Sequence, residues 1–193
     1  TSRQVDVPRN ISVNGIEQYS WITNAAGYKF HNWYGFGAVD AAAAVESSVS
    51  HKNNSLGIFV ETEWNSSATV TATMLDSTTH YIDVPMTKLS GSSGVIEFVR
   101  LRISLRHGKP NSVGIQLQSP SGTVSTLLQP YTRLKTNPNA DCSGVATCTY
   151  FELASNAFYG EPIAGTWRLL VTDHISDGTM GIFEKYQIKI YGY

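Results

Sequence analysis

Strict alternation of apolar and polar residues is the feature that most constrains how this chain folds. From Val99 to Arg106 the apolar residues occupy every second position, and arginine or serine fills the positions between them. Successive side chains of a β-strand point to opposite faces, so this period of two predicts a half-buried strand with Leu101, Ile103 and Leu105 inside. Comparable rows occur elsewhere in the chain, at 68–74, 113–117, 167–171 and 186–190.

Turn-forming residues separate these rows, at 119–122, 137–139 and 176–178. Strands divided by turns, with no helical pattern between them, predict an all-β fold: a two-sheet β-sandwich or jelly roll. The composition agrees, because 41% hydrophobic and 15% charged residues exclude a disordered chain and a coiled coil.

A different pattern precedes the strands. Residues 37–46 are rich in alanine, the best helix former, and predict a short helix. One helix of this size cannot fold alone, so it needs a larger body to pack against. We therefore divide the chain into a first segment at 1–48, a linker at 49–57 and a β-domain at 58–193.

Charge and hydropathy limit the partners. The chain has 14 Lys and Arg against 15 Asp and Glu, which argues against a nucleic-acid partner because phosphate contacts need an excess of basic residues. No run of 18 apolar residues occurs, so no membrane span is predicted. The chain opens without a signal peptide, and we expect a mature or excised segment.

Cys142 and Cys148 are the two cysteines, with five residues between them. This spacing fits no structural zinc site, which leaves a short disulfide loop or two free thiols of a cytosolic protein. The abundance of Asn, Ser and Thr and the low charge favour the disulfide and a secreted protein.

Several motifs resemble a known family. The stretch at 24–41, in which Trp-Tyr-Gly-Phe-Gly at 33–37 precedes the alanine-rich helix, resembles the end of a subtilisin-like catalytic domain of the kexin and furin type. The stretches at 117–123, 158–161, 165–173 and 181–192 resemble the P domain, or Homo B domain, that follows it in those proteases. The resemblance implies a short helical remnant of an α/β catalytic domain joined to a β-sandwich. It also implies a secreted serine endopeptidase whose own catalytic domain is the partner.

The chain departs from that family in its catalytic residues. The family's serine lies in a Gly-Thr-Ser motif, whereas the Gly-Thr pairs here, at 122, 165 and 178, continue without serine. None of the histidines at 31, 51, 80, 107 and 174 lies in the family's His-Gly-Thr-His setting. We expect the Ser-His-Asp triad to lie upstream of this chain, which should not cleave peptides alone.

Two charged groups are candidate binding sites. Arg100, Arg102 and Arg106 line one strand face and are either an exosite for acidic protein substrates or a solvated face balanced by neighbouring acids. Asp173 and Asp177 flank a turn and are either calcium ligands or turn caps. Asp141 is a second calcium candidate.

The remaining candidates concern how the two segments meet. The aromatic residues of 21–36 are either a ligand cleft or packing at the junction. Glu161 has no neighbouring acid or histidine in sequence, so we interpret it as a buried interface carboxylate that accepts hydrogen bonds from backbone amides. The function is then either a non-catalytic domain that stabilises its protease or a binding module that tethers the protease to macromolecular substrates.

Overall fold

Two antiparallel sheets form the body of the protein in the computed structural model. The structure describes residues 2–3, 12–13, 16–17, 20–51, 57–66, 72–87, 94–132 and 148–193. One sheet has four strands in the order β10-β15-β12-β13, and the other has β14, β11 and β16 with three short strands along the free side of β16. The predicted all-β sandwich is confirmed.

The strands of the sandwich, in chain order, are β7 (Val60–Glu61), β8 (Asn65–Ser66), β9 (Ala72–Met74), β10 (Thr79–Met86), β11 (Ile96–His107), β12 (Val113–Gln118), β13 (Val124–Leu128), β14 (Cys148–Ser155), β15 (Gly165–Asp173) and β16 (Gly181–Gly192). A 3-10 turn, Pro110–Ser112, links β11 to β12. Short strands precede the sandwich: β1 (Ser2–Arg3), β2 (Ser12–Val13), β3 (Ile16–Glu17), β4 (Ile22–Thr23), β5 (Lys29–Phe30) and β6 (Ala38–Val39).

The core lies between the two sheets and contains the residues that the alternation predicts. One contiguous hydrophobic cluster includes Leu101, Ile103 and Leu105 from β11 together with Leu169 and Val171 from β15, all of them at most 1% exposed. The predicted inward rows of β12, β15 and β16 are also buried. In the predicted row at 68–74, residues 68–71 lie outside the described residues.

The two predicted turns that fall on described residues are both present. The chain reverses at 119–123, where the amide of Ser119 donates to the Thr123 carbonyl at 2.9 Å and Gly122 has a φ of +93°. Gly178 has a φ of +77° in the turn before β16. Only glycine adopts such angles without strain, so the Ser-Gly and Asp-Gly signals marked these turns for a physical reason.

The helix differs in its bounds from the prediction of 37–46. It is α1 (Ala41–His51), since Ala38 and Val39 pair with Ser2 and Arg3 as a strand. The Asp40 carboxylate accepts a hydrogen bond from the Ala43 amide at 3.0 Å, the geometry of a helix N-cap. The helix continues to His51, three residues beyond the boundary at 48.

No helix in the described part of the chain is long and apolar enough to cross a membrane.

Candidate functional site

The first segment meets the sandwich through the tight hairpin of β4 and β5. Asn24, buried at the start of this turn, donates from Nδ2 to the carbonyls of Ala157 and Tyr159 at 2.9 and 2.8 Å. Its Oδ1 accepts from the amides of Ala26 and Tyr28 at 3.1 and 2.8 Å. One amide side chain therefore shapes the turn and fixes it to the loop after β14.

Glu161 holds the same turn from the side of the sandwich. Its carboxylate is fully buried and accepts hydrogen bonds from the hydroxyls of Ser119 and Thr123 and from the Ala25 amide, the last at 3.0 Å. The Ala25 amide also donates to Thr123 Oγ1 at 3.0 Å. Hydrogen bonds to a charged acceptor are stronger than neutral ones, so this carboxylate joins three distant parts of the chain.

The position of Glu161 is set by its own loop. Its amide donates to the Phe158 carbonyl at 3.1 Å, and its carbonyl accepts from Ile96 at 2.9 Å. The expectation of a buried interface glutamate agrees with this geometry, although two of its three donors are side-chain hydroxyls. We name the set of Asn24, Ala25, Ser119, Thr123 and Glu161 the junction clamp.

Aromatic rings surround the junction clamp. Tyr159 makes edge contacts with Tyr28 and Phe36 at centroid distances of 5.0 and 5.7 Å. Gly160 has a φ of +83°, and a Cβ there would come within 2.8 Å of the Tyr28 ring. Only glycine satisfies both conditions, because it tolerates the angle and leaves room for the ring.

The C-terminal residue extends this cluster. The Tyr193 hydroxyl donates to the Tyr159 hydroxyl at 3.1 Å. Burial, followed by this hydrogen bond, raises the pKa of Tyr193. The shift therefore favours the neutral phenol, which can donate this hydrogen bond.

A second aromatic group surrounds His31. The imidazole is fully buried, with the rings of Tyr34, Trp21 and Trp33 at 5.0, 5.3 and 6.4 Å. Packing at the junction holds for part of this group, and the ligand cleft stays a prediction. Tyr28 and Phe36 pack at the junction, whereas Trp33 lines an open cleft of about 390 Å³.

The candidate exosite arginines are paired with acids. Arg100 and Arg102 both contact Glu152 on β14, and Arg106 contacts Glu184 on β16. The Arg102 guanidinium also lies 4.1 Å from the centre of the Trp64 ring, a cation–π contact. This is the arrangement of a face balanced by acids on neighbouring strands, and exosite binding stays a prediction.

The two calcium candidates have different partners. Asp173 is buried, and its Oδ1 accepts from Ser112 Oγ at 2.7 Å and from the Ile175 amide at 3.2 Å. Asp177 accepts from Lys109 Nζ at 2.6 Å and from the Thr179 amide at 2.9 Å. Within the described ranges no three His, Cys, Asp or Glu side chains group as metal ligands. Calcium binding stays a prediction.

Charge and burial shift two pKa values near this turn. The hydrogen bond from Lys109 lowers the pKa of Asp177 to about 2. Burial lowers the pKa of His174, and the negative charge of Asp173 opposes that effect.

A serine, a histidine and an aspartate also meet here, but not as a catalytic triad. His107 Nε2 faces Asp173 Oδ2 at 3.3 Å, and its Nδ1 accepts from the Lys109 amide at 3.1 Å. The Ser112 hydroxyl donates to the aspartate and not to the imidazole. A triad needs the imidazole to accept the serine proton, so this cluster lacks the base contact that activates a nucleophile.

Two candidates lie outside the described residues. These are Cys142 and Asp141. Cys148 begins β14, where its backbone pairs with Arg106. The disulfide and the second calcium candidate therefore stay predictions.

The fold and the junction define a class of protein: a β-sandwich domain that holds a turn of the preceding segment against its own loops. Comparison with known proteins identifies the domain. Residues 96–190 match the family model of the proprotein convertase P-domain, and this part of the chain belongs to that family. The family resemblance found in the sequence is confirmed.

Relatives and solved structures align beyond these residues. The chain is 35% identical to the extracellular serine protease of Aeromonas sobria over 86% of its length, and 29% identical to rat proprotein convertase subtilisin/kexin type 5 over 96%. The crystal structure of Aeromonas sobria serine protease with a chaperone superposes with a TM-score of 0.77, at 26% identity over 92% of this chain. The chain spans 27% and 10% of the two relatives and 34% of the solved chain.

Proposed function

We propose that this chain is the non-catalytic P domain of a secreted subtilisin/kexin-like serine endopeptidase, the parent protease, and that it stabilises the catalytic domain. The observation that carries the proposal is the junction clamp. The turn at 24–28 resembles catalytic-domain sequence, and two buried groups hydrogen-bond it to the sandwich: Glu161 accepts from the Ala25 amide, and the Asn24 side chain donates to the carbonyls of Ala157 and Tyr159. Because the clamp exists only when both segments are folded, it links their stabilities.

The first segment also presents apolar surface on its other side. Val45 and Val49 of α1 are 66% and 73% exposed, and Val39 before the helix is 83% exposed. An alanine-rich helix of this size does not hold its fold without packing. The rest of the catalytic domain is the partner that we propose for this face, in keeping with the much longer relatives.

A deletion in the parent protease tests the proposed role. Removing residues 58–193 should lower the thermal midpoint by several degrees or prevent folding, while any folded enzyme keeps its preference among small peptide substrates. Normal folding and peptide cleavage, with activity lost only on large or insoluble proteins, would instead support a substrate tether.

The chain by itself should have no peptidase activity. The reason is that the family's Gly-Thr-Ser and His-Gly-Thr-His motifs do not occur in this chain, and that Ser112 donates to Asp173 and not to His107. Hydrolysis of casein by the purified chain that persists in a Ser112→Ala variant would point to a contaminant or another site. Hydrolysis that disappears in that variant would show that the cluster is catalytic.

A further inference from the structure

The cleft beside the junction is formed by the edges of two strands. Its lining includes the consecutive residues 125–129, from β13 and the position after it, and 153–156, from β14 and the position after it. Side chains of consecutive strand residues alternate between faces. A continuous run along one wall therefore means that the strand edge itself, with its backbone groups, faces the cleft.

Both edges lack a strand partner on the cleft side in the described part of the chain. There β13 pairs with β12 and β14 pairs with β11, and no other described strand joins either of them. Natural edge strands are usually protected by proline, charge or a covering element. The other edge of the four-stranded sheet, β10, contains Pro85 and an Asp83–Arg168 ion pair, whereas β13 contains neither proline nor a charged residue.

The base of the cleft is fixed. Ser125 and Ser155 share a hydrogen bond of 2.8 Å between the two sheets, and both side chains are buried. This bond separates the cleft from the core. Phe30, Asn32 and the exposed indole of Trp33 also line the cleft, so the first segment contributes to it.

The chemistry of the lining selects the occupant. All of the described residues that line the cleft are uncharged, and they include both leucine side chains and hydroxyl and amide groups. A charged segment would lose hydration there without gaining a partner. An extended uncharged peptide would gain backbone hydrogen bonds from the strand edge and apolar contact with Trp33.

We propose that this cleft binds an extended, uncharged peptide segment of a protein partner, which adds as a further strand to the edge of β13. The opposite wall is β14, and Trp33 contacts the end of the segment. This inference is independent of the junction clamp, because the stabilising role stands whether or not the cleft binds peptide.

The test uses the 193-residue chain and the peptide acetyl-Thr-Val-Thr-Val-Thr-amide, followed by amide NMR shifts. Binding with a Kd of about 1 mM or tighter should shift the resonances of 124–129 before those of other strands. Two modified peptides are compared with it: one is N-methylated at the backbone nitrogens of the valines, and the other at those of the threonines. Since alternate residues use opposite edges of a strand, at least one of the two must lose binding.

Two substitutions locate the contact. Trp33→Ala should weaken binding by about tenfold, as expected for loss of an aromatic contact. Tyr81→Ala removes a similarly exposed ring from β10, at the edge of the four-stranded sheet opposite β13, and should leave binding unchanged.

Several results would overturn the proposal. These are no saturable shift, shifts that map away from β13, undiminished binding by both methylated peptides, or equal effects of the two substitutions. Binding of maltohexaose in place of the peptide would assign the cleft to neutral sugars and would also overturn it.

Discussion

Replacing Glu161 by alanine should destabilise the isolated chain strongly, because the carboxylate is the buried acceptor for three donors. Hydrogen bonds to a charged group contribute about 1.5–3 kcal/mol each. The hydroxyls of Ser119 and Thr123 can rotate toward other acceptors, and water can enter the space left by the side chain. We therefore take less than this range, a little over 1 kcal/mol for each of the three bonds, and expect a loss of about 3–4 kcal/mol.

The assay is thermal unfolding followed by circular dichroism. For a domain of this size each kcal/mol shifts the midpoint by about 2–4 °C, so Glu161→Ala should lower it by about 6–16 °C. Glu61→Ala is the matched control, because Glu61 is exposed and pairs with Lys189 at 2.8 Å. An exposed ion pair is worth at most about 1 kcal/mol, which is a shift of a few degrees.

Equal midpoints for the two variants would refute the reasoning. That result would mean that the donors find other partners without cost, and that the buried carboxylate does not fix the junction.

Three further predictions concern the sandwich. Ile103→Ala should lower the free energy of unfolding, measured with denaturant, by about 2–5 kcal/mol, because the side chain is fully buried. Arg102→Ala should lower it by about 1 kcal/mol, for the lost contact with Trp64. A larger loss at Arg102 than at Ile103 would mean that the two faces of the strand are assigned the wrong way round. Burial lowers the pKa of His174 in the folded state, so the unfolded chain binds the proton first and stability should fall as pH drops below about 6.5. His174→Gln should flatten that dependence, and an unchanged slope would remove this group as its cause. If calcium binds through Asp177, the midpoint should be higher in calcium than in EDTA in the native chain and equal in Asp177→Ala; a shift that survives the substitution would place the ion elsewhere.

The sandwich was readable from the sequence because burial and strand periodicity coincide. Ile103 and Leu169 are separated by many residues, yet each is inward by the same rule of alternation, and both are fully buried. The helix bounds were less accurate, because Ala38 has a high helix propensity but is paired in a strand with Arg3. Pairing between distant segments overrides propensity at such positions.

The junction clamp was only partly predictable. Glu161 stood out as an acid with no partner nearby in sequence, which is typical of a buried structural carboxylate. Asn24 carries a local signal, since Asn before Ala-Ala-Gly favours a turn, but its contacts with the loop near Ala157 are made 133 positions away. The pairing of Glu161 with Ser119 and Thr123 depends on how the strands are arranged, and no local pattern encodes it.

The most direct test of the central claim is the thermal inactivation rate of the parent protease carrying Glu161→Ala, with Glu61→Ala as the control. The account predicts that the Glu161 variant cleaves a small peptide with normal kcat/KM when fresh. It should then lose that activity at least about tenfold faster than the control on heating, since a loss of 1.4 kcal/mol or more corresponds to a factor of about ten. Equal inactivation rates for the two variants would contradict the claim that the junction clamp stabilises the catalytic domain.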